Sequence, residues 1–173
     1  MNTIIDCDRS HAGTILEIFN HAIAHTTALY EYAAWDDAHI AAWFDAKQKG
    51  NYPVVGVTGA DGGLMGFASY GPFRLRPTYK YSIEHSVYVH PDHRGKGLGK
   101  VLLAAIIERA RQQDYHCMVG GIDKDNAISI VLHEQFGFEY CGTVKHAGFK
   151  FGRWLDLVFY QKLLDTPARP VDG

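Results

Sequence analysis

Cysteine is scarce in this 173-residue chain: Cys7, Cys117 and Cys141 are its only three, with no C-x-x-C among them. An odd, unpaired set rules out a disulfide framework and a dithiol redox motif, and it suits a reducing compartment in which the thiols are bystanders. Neither sign of charge is in surplus, with 17 Lys and Arg against 19 Asp and Glu for a formal charge of −2. That argues against nucleic acid or an anionic membrane as the main partner, so any basic site must be local. No apolar run is long enough to span a bilayer, and M-N-T-I-I-D-C-D-R-S lacks a basic segment followed by an apolar one. A soluble, cytoplasmic protein is expected. There are ten histidines, but they are not arranged as a metal site. His133-Glu134 has Gly137 where a zinc helix needs its second His, and His90 and His93 flank a proline without a third ligand, so no metal is expected. Two nucleotide motifs are also missing. The third glycine of a G-x-G-x-x-G would fall at Lys100 or Leu102, and no Gly-Lys-Ser/Thr completes a Walker loop.

What is present is a chain that is 47% hydrophobic, enough for one core, without repeats, linkers or low-complexity tracts. One domain over residues 1–165 is expected, with 166–173 as a flexible tail. Residues 2–7 read as an edge strand. Ser10 is expected to cap a helix over 11–24 whose Ile15, Ile18, Phe19 and Ile23 share one face. A second helix is expected over 36–49, and the aromatic stretch between the two suits a loop that either lines a pocket or packs its rings down. Residues 54–58 and 64–70, joined by Gly-Ala-Asp-Gly-Gly, carry a hairpin signal and with the next strand are expected to form an antiparallel meander. Further on come a strand over 116–122, a helix over 126–136 stopped by Gly137, and strands over 138–144 and 154–163. The alternation of strands and helices is an α/β (α+β) pattern.

The chain is organised around E-H-S-V-Y-V-H-P-D-H-R-G-K-G-L-G, residues 84–99. A strand of β-formers ends at His90-Pro91, a glycine-rich loop follows, and Leu102, Leu103, Ile106 and Ile107 then recur at helical spacing. A helix start presents unpaired N–H groups and the positive end of the macrodipole, so it attracts phosphate. Arg94 and Lys96 add charge, and glycine permits close approach. Taken alone, the loop reads equally well as a plain strand-to-helix turn.

One strand further on, N-A-I-S-I-V-L-H-E-Q-F-G-F begins at Asn126. Together with R-x-x-G-x-G it resembles the paired signatures of the GNAT superfamily of N-acetyltransferases. I-E-H-S-V-Y-V, N-A-x-S-x-x-L-H and G-x-K-F-G-R-W-L-D-L are similar to the phosphinothricin and methionine sulfoximine acetyltransferase branch, and the likeness covers most of the chain. It implies a mixed, mostly antiparallel seven-stranded sheet flanked by about four helices and splayed at the acetyl-CoA strand. It also implies a homodimer, consistent with the apolar W-L-D-L-V-F-Y-Q-K-L-L near the end.

By the same resemblance, acetyl-CoA lies with its pantetheine arm along the backbone of Val87, Tyr88 and Val89. Its phosphates sit on Arg94, Gly95, Lys96, Gly97, Leu98, Gly99 and Lys100, and Asn126 and Ser129 contact the arm. An amine attacking a thioester must first lose its proton, and Glu84 stands where this branch holds its base, acting through water. The oxyanion would meet backbone N–H near Val87–Val89. Many relatives carry tyrosine seven residues beyond the signature asparagine. Here that position is His133, which reads either as a general acid or as a histidine satisfied in the core. Arg74 and Arg76, two apart, suit a carboxylate or phosphinate if both face a pocket, and are otherwise simply solvated. The resemblance adds Leu75, His85 and Ser86 to the substrate side. The expected function is N-acetylation of a small amino acid. Acetylation of a protein N-terminus or a polyamine, and a non-catalytic acyl-CoA sensor, are the alternatives.

Overall fold

Each amphipathic segment buries the face its periodicity marks. The computed structural model describes residues 2–172, in the order β1 (Thr3–Asp6), α1 (Ala12–His25), α2 (Asp37–Lys49), β2 (Val54–Thr58), β3 (Leu64–Pro72), β4 (Ser82–Val89), α3 (Leu98–Gln112), β5 (Cys117–Asp123), α4 (Ala127–Gln135), β6 (Glu139–Lys150) and β7 (Arg153–Leu163). The strands form one seven-stranded sheet in the order β1-β2-β3-β4-β5-β7-β6. β4 pairs with β5 in parallel, whereas β1 with β2, β2 with β3, β5 with β7 and β6 with β7 are antiparallel, which is the mixed sheet expected. The β4–β5 register runs from Ser82↔Cys117 to Glu84↔Val119, and β4 then continues to Val89. No helix among the described residues is long and apolar enough to cross a membrane.

The chain divides into two compact units. The first comprises the residues up to Gly71 together with Ser86–Ile106. Its core gathers Ile15, Ile18 and Phe19 of α1 with Ile40 and Phe44 of α2 and with Val54, Leu64 and Phe67 of the sheet. Phe19 is central to it, its ring 4.6 Å from Trp35, 5.1 Å from Phe67 and 5.2 Å from Tyr88. Offset and edge-on ring packing of this kind adds about 0.5–1.5 kcal/mol per pair beyond area burial. The aromatic loop before α2 is clipped at its end, where Trp35 N–H donates to Asn20 Oδ1 at 2.7 Å and Asn20 Nδ2 donates to Trp35 O at 3.0 Å. Ser10 does not cap α1 as expected. A 3₁₀ turn, Arg9–His11, precedes the helix, and Asp8 accepts from Ser10 N–H at 2.9 Å, because a carboxylate is the stronger acceptor.

The second unit comprises Pro72–His85 together with the residues from Ile107 onward. β5 pairs along its whole length with β7, which also carries β6. The tail after Leu164 has bonds of its own: Thr166 Oγ1 donates to Tyr115 O, and Val171 N–H donates to the Tyr81 hydroxyl at 3.1 Å.

Candidate active site

In the second unit, β4 brings Glu84 and His85 to the sheet as neighbours, and the pleat sends them to opposite faces. On β5, Val119 is the register partner of Glu84, and Gly120 and Gly121 follow it. A Cβ on Gly121 would lie 3.0 Å from Glu84 Oε1, and one on Gly120 would lie 3.1 Å from the His85 ring and 3.2 Å from that of His133, so a side chain at either position would press on these groups. Sequence reasoning passed over this pair. Two consecutive glycines inside a strand were the available signal, since they mark a close approach.

Glu84 is half-buried. Loss of solvent pushes its carboxyl above the usual carboxylate range, and the positive charge of Arg74 pulls the other way. Arg74 lies across the Phe73 ring, 4.7 Å from its centre. Phe73 in turn donates its N–H to Ser82 O at 3.3 Å, which ties the loop to the start of β4. Leu75 is almost fully exposed, and Arg76 stands exposed just before the 3₁₀ turn Pro77–Tyr79. Of the two arginines, Arg74 is the one acting on Glu84.

His85 was expected on the substrate side, yet its ring is 6% exposed and engaged at both nitrogens. Nδ1 lies 2.9 Å from Val119 O, and Nε2 lies 2.9 Å from Nε2 of His133. What His85 has left to offer a ligand is its backbone. The other nitrogen of His133, Nδ1, is 2.7 Å from Ser129 O, and His133 is 5% exposed. Burial pushes both imidazoles down, His85 to about 3, with His133 the second cause for His85. Ser86, next on β4, is exposed. Asn126 caps α4, its Oδ1 accepting from Ser129 N–H at 3.1 Å.

In the first unit, β4 passes Val87, half-buried, and Tyr88, whose ring stacks on Phe67, to reach Val89. A 3₁₀ turn over Pro91–His93 leads into the loop. Gly95 and Gly97 both have φ of +75°, a conformation that strains any residue with a side chain, and α3 begins directly after them. Leu98 is buried and anchors the helix start, which leaves the loop backbone and Gly99 and Lys100 facing outward. Two histidines hold the cations of the loop. Arg94 Nη2 donates to His21 Nδ1 at 3.3 Å, and Lys96 Nζ donates to His93 Nδ1 at 3.1 Å. Nothing in the sequence signalled His21, which is 73 residues from Arg94. A cavity of about 560 Å³ lined by Cys7, Lys47, Tyr52 and Val54 contains none of the residues expected for catalysis.

The profile of the Acetyltransferase (GNAT) family matches residues 17–138. An L-methionine sulfoximine/L-methionine sulfone acetyltransferase from Salmonella typhimurium is 45% identical over 97% of this chain and 98% of its own length. The L-amino acid N-acyltransferase MnaT of Escherichia coli is 42% identical over 94% of each. Among solved structures, a GNAT superfamily phosphinothricin acetyltransferase from Sinorhizobium meliloti in complex with acetyl-CoA superposes with a TM-score of 0.94 at 34% identity, covering 99% of this chain and 94% of that one.

The buried imidazoles have a consequence for stability. In the unfolded chain they take up protons near 6.5, whereas in the fold both remain neutral to lower pH. The unfolded state therefore binds more protons below 6.5, and stability, complete above that pH, falls as the medium is acidified toward the folded value. Urea denaturation at pH 7.5, 6 and 5 is expected to show this decline before the carboxylates titrate. His133→Phe should flatten it, and an unchanged slope in that variant would refute the assignment.

Proposed function

The chain belongs to the GNAT family of acetyltransferases and is an acyltransferase; from that premise we propose that it moves the acetyl group of acetyl-CoA to the α-amine of a small amino acid of the methionine sulfoximine, methionine sulfone or phosphinothricin type. The observation carrying this reading is the half-buried Glu84 under the charge of Arg74. In this reading Glu84 serves as base and Arg74 as anion-binding group, and the influence of one charge on the other supports it. A polyamine or a protein N-terminus offers no carboxylate to that guanidinium.

An α-amine of pKa about 8 is mostly protonated at neutral pH and cannot attack. In the proposed step Glu84 takes its proton through a water. The freed nitrogen then attacks the thioester carbonyl, the C–N bond forms and the C–S bond breaks. The nitrogen sheds its second proton as the amide forms, the departing thiolate takes up one proton, and one proton is released per turnover. Burial strengthens Glu84 as a base, while Arg74 keeps enough of it ionised to act.

For the cosubstrate, we assign the pyrophosphate to the loop from Arg94 through Lys100. Its support is the left-handed glycines, the two cations and the fresh helix start. The pantetheine arm is assigned to the β4 backbone from Val87 to Val89, beyond the last pair with β5, and to the amide nitrogen of Asn126 and to Ser129. Backbone N–H in the same stretch would receive the oxyanion. We take residues 1–165 as one acetyltransferase domain and place the protein in the cytoplasm. It is proposed to be a homodimer, because the β6–β7 hairpin exposes Tyr140, Phe149, Phe151, Trp154 and Leu163. Light scattering at micromolar concentration should give twice the chain mass, and a monomer mass would remove the dimer.

Glu84→Gln should bind acetyl-CoA normally while turnover falls by roughly 10² to 10⁴, the usual general-base contribution. The deficit should narrow as pH rises and the amine deprotonates unaided. A near-parental rate at neutral pH would mean that another group serves as base.

Substrate choice tests the whole reading. Free CoA released over a panel should be high with methionine sulfoximine and related amino acids, and low with their amides and with simple amines. A charge-assisted bond is worth about 1.5–3 kcal/mol, so Arg74→Ala should lower kcat/KM about tenfold or more. It should also move the acid limb of the pH profile upward, because Glu84 loses the charge that lowers its pKa. A preference for amines without a carboxylate would overturn the amino-acid assignment.

A further inference from the structure

His85 and His133 make more contacts than two neutral imidazoles can satisfy. Their Nδ1 atoms face carbonyl oxygens, Val119 O at 2.9 Å and Ser129 O at 2.7 Å, and a carbonyl only accepts. Their Nε2 atoms face each other at 2.9 Å, with room for one hydrogen between them. Three hydrogen bonds need three protons, and two neutral rings carry two. Phe138 closes the site, its ring 5.2 Å from His85 and 5.0 Å from His133, and the Gly120 backbone lies beneath both.

In the neutral pair either the two Nε2 lone pairs face each other or one Nδ1 lone pair faces a carbonyl, and only the second arrangement keeps a hydrogen bond between the rings. A hydroxyl decides which Nδ1 that is. Ser129 Oγ lies 3.4 Å from His133 Nδ1 and is able to donate there, whereas His85 Nδ1 is given Val119 O as its partner. The deficit falls on His133, whose own proton goes to Nε2 and points at His85. One added proton completes all three bonds. A second would put two hydrogens into the Nε2···Nε2 contact.

We propose that His85 is a positioning residue for His133: it presents a bare Nε2, fixes the His133 proton on Nε2, and makes the two rings one unit with space for a single extra proton. On the elements that carry the pair and on β5, the neighbouring acids are turned away or engaged. On β4 the neighbouring Glu84 is turned to Gly121 on the other face, β5 presents Val119 and Gly120, and on α4 Glu134 is taken by the Tyr160 hydroxyl at 3.2 Å. The next segment contributes Phe138. Burial lowers the pKa of both rings, so the extra proton arrives below the ordinary imidazole range. His133 then works as half of a pair and not as an independent acid.

Nitrogen-15 imidazole spectra of the ligand-free protein read this without reference to turnover. In the parent, His85 should carry its proton on Nδ1 and His133 on Nε2, and on acidification the two rings should take up one proton together. In His85→Phe, which keeps the volume, the His133 proton should move to Nδ1 and bond Ser129 O. A parent with the His133 proton on Nδ1, rings that titrate independently to two protons, or no uptake before acid unfolding overturns the proposal. The effect on the reaction rests on the acetyl-transfer reading and is tested separately. His85→Phe and His133→Phe should lower kcat by similar factors, and the double variant should lose no more than either, because one unit is lost once. Factors that multiply, singles without effect, or a loss confined to His133→Phe overturn the positioning role. If the spectra hold while no amino acid is acetylated, the proposed function fails and the pair stands.

Discussion

The alternation of side chains along β4 is the constraint on which the chemistry of the second unit depends. A strand sends consecutive residues to opposite faces, so Glu84 and His85 cannot share a site even though they share a peptide bond. One face receives a carboxyl under the charge of Arg74, and the other receives an imidazole pair closed by Phe138. β5 accommodates both by giving up side chains at Gly120 and Gly121. Glycine in a strand costs about 0.5–1 kcal/mol relative to alanine. A larger residue at either position would meet Glu84 on one side or the two rings on the other.

The first unit handles charge differently. Among the described contacts, Arg94 and Lys96 donate to His21 and His93, whose nitrogens accept only while they carry no proton. A carboxylate in those places would cancel the charge that an anionic ligand needs. A neutral imidazole holds the cation in position and leaves its charge intact, while the glycines at φ of +75° turn the loop backbone into the helix start. Shape and charge at this loop are thus set by separate residues.

Much of the fold was legible because it rests on local periodicity. The buried face of α1, the Gly-Ala-Asp-Gly-Gly hairpin and the apolar stripe of α3 all follow from spacing, and their observed limits lie within a few residues of those expected. Local competition between caps was less legible: Asp8 and Ser10 both qualify, and the carboxylate prevailed. The site divides in the same way. The glycine loop is a contiguous string whose strand-to-helix turn could be read directly, while its phosphate reading needed the second motif beside it. Glu84 has no such string around it and was found only through resemblance. The His85–His133 contact joins residues 48 apart, on a strand and a helix whose relation no pattern states. His133 had two readings, general acid or satisfied core histidine, and its contact with His85 bears on both.

The balance at Glu84 gives the proposed reaction a way to sense its substrate. Desolvation raises the proton affinity of the carboxyl, and Arg74 lowers it by Coulomb attraction. An amino acid binding its carboxylate to Arg74 would bring a negative charge to that guanidinium and cancel part of its field at Glu84. It would also displace water and deepen the desolvation. Both changes act in one direction, so Glu84 becomes a stronger base as the amine it must deprotonate arrives. Before then, the charge of Arg74 opposes the rise that burial causes and favours the ionised carboxyl. An amine without a carboxylate would leave that charge uncancelled and meet a weaker base, so discrimination would enter the chemical step as well as binding.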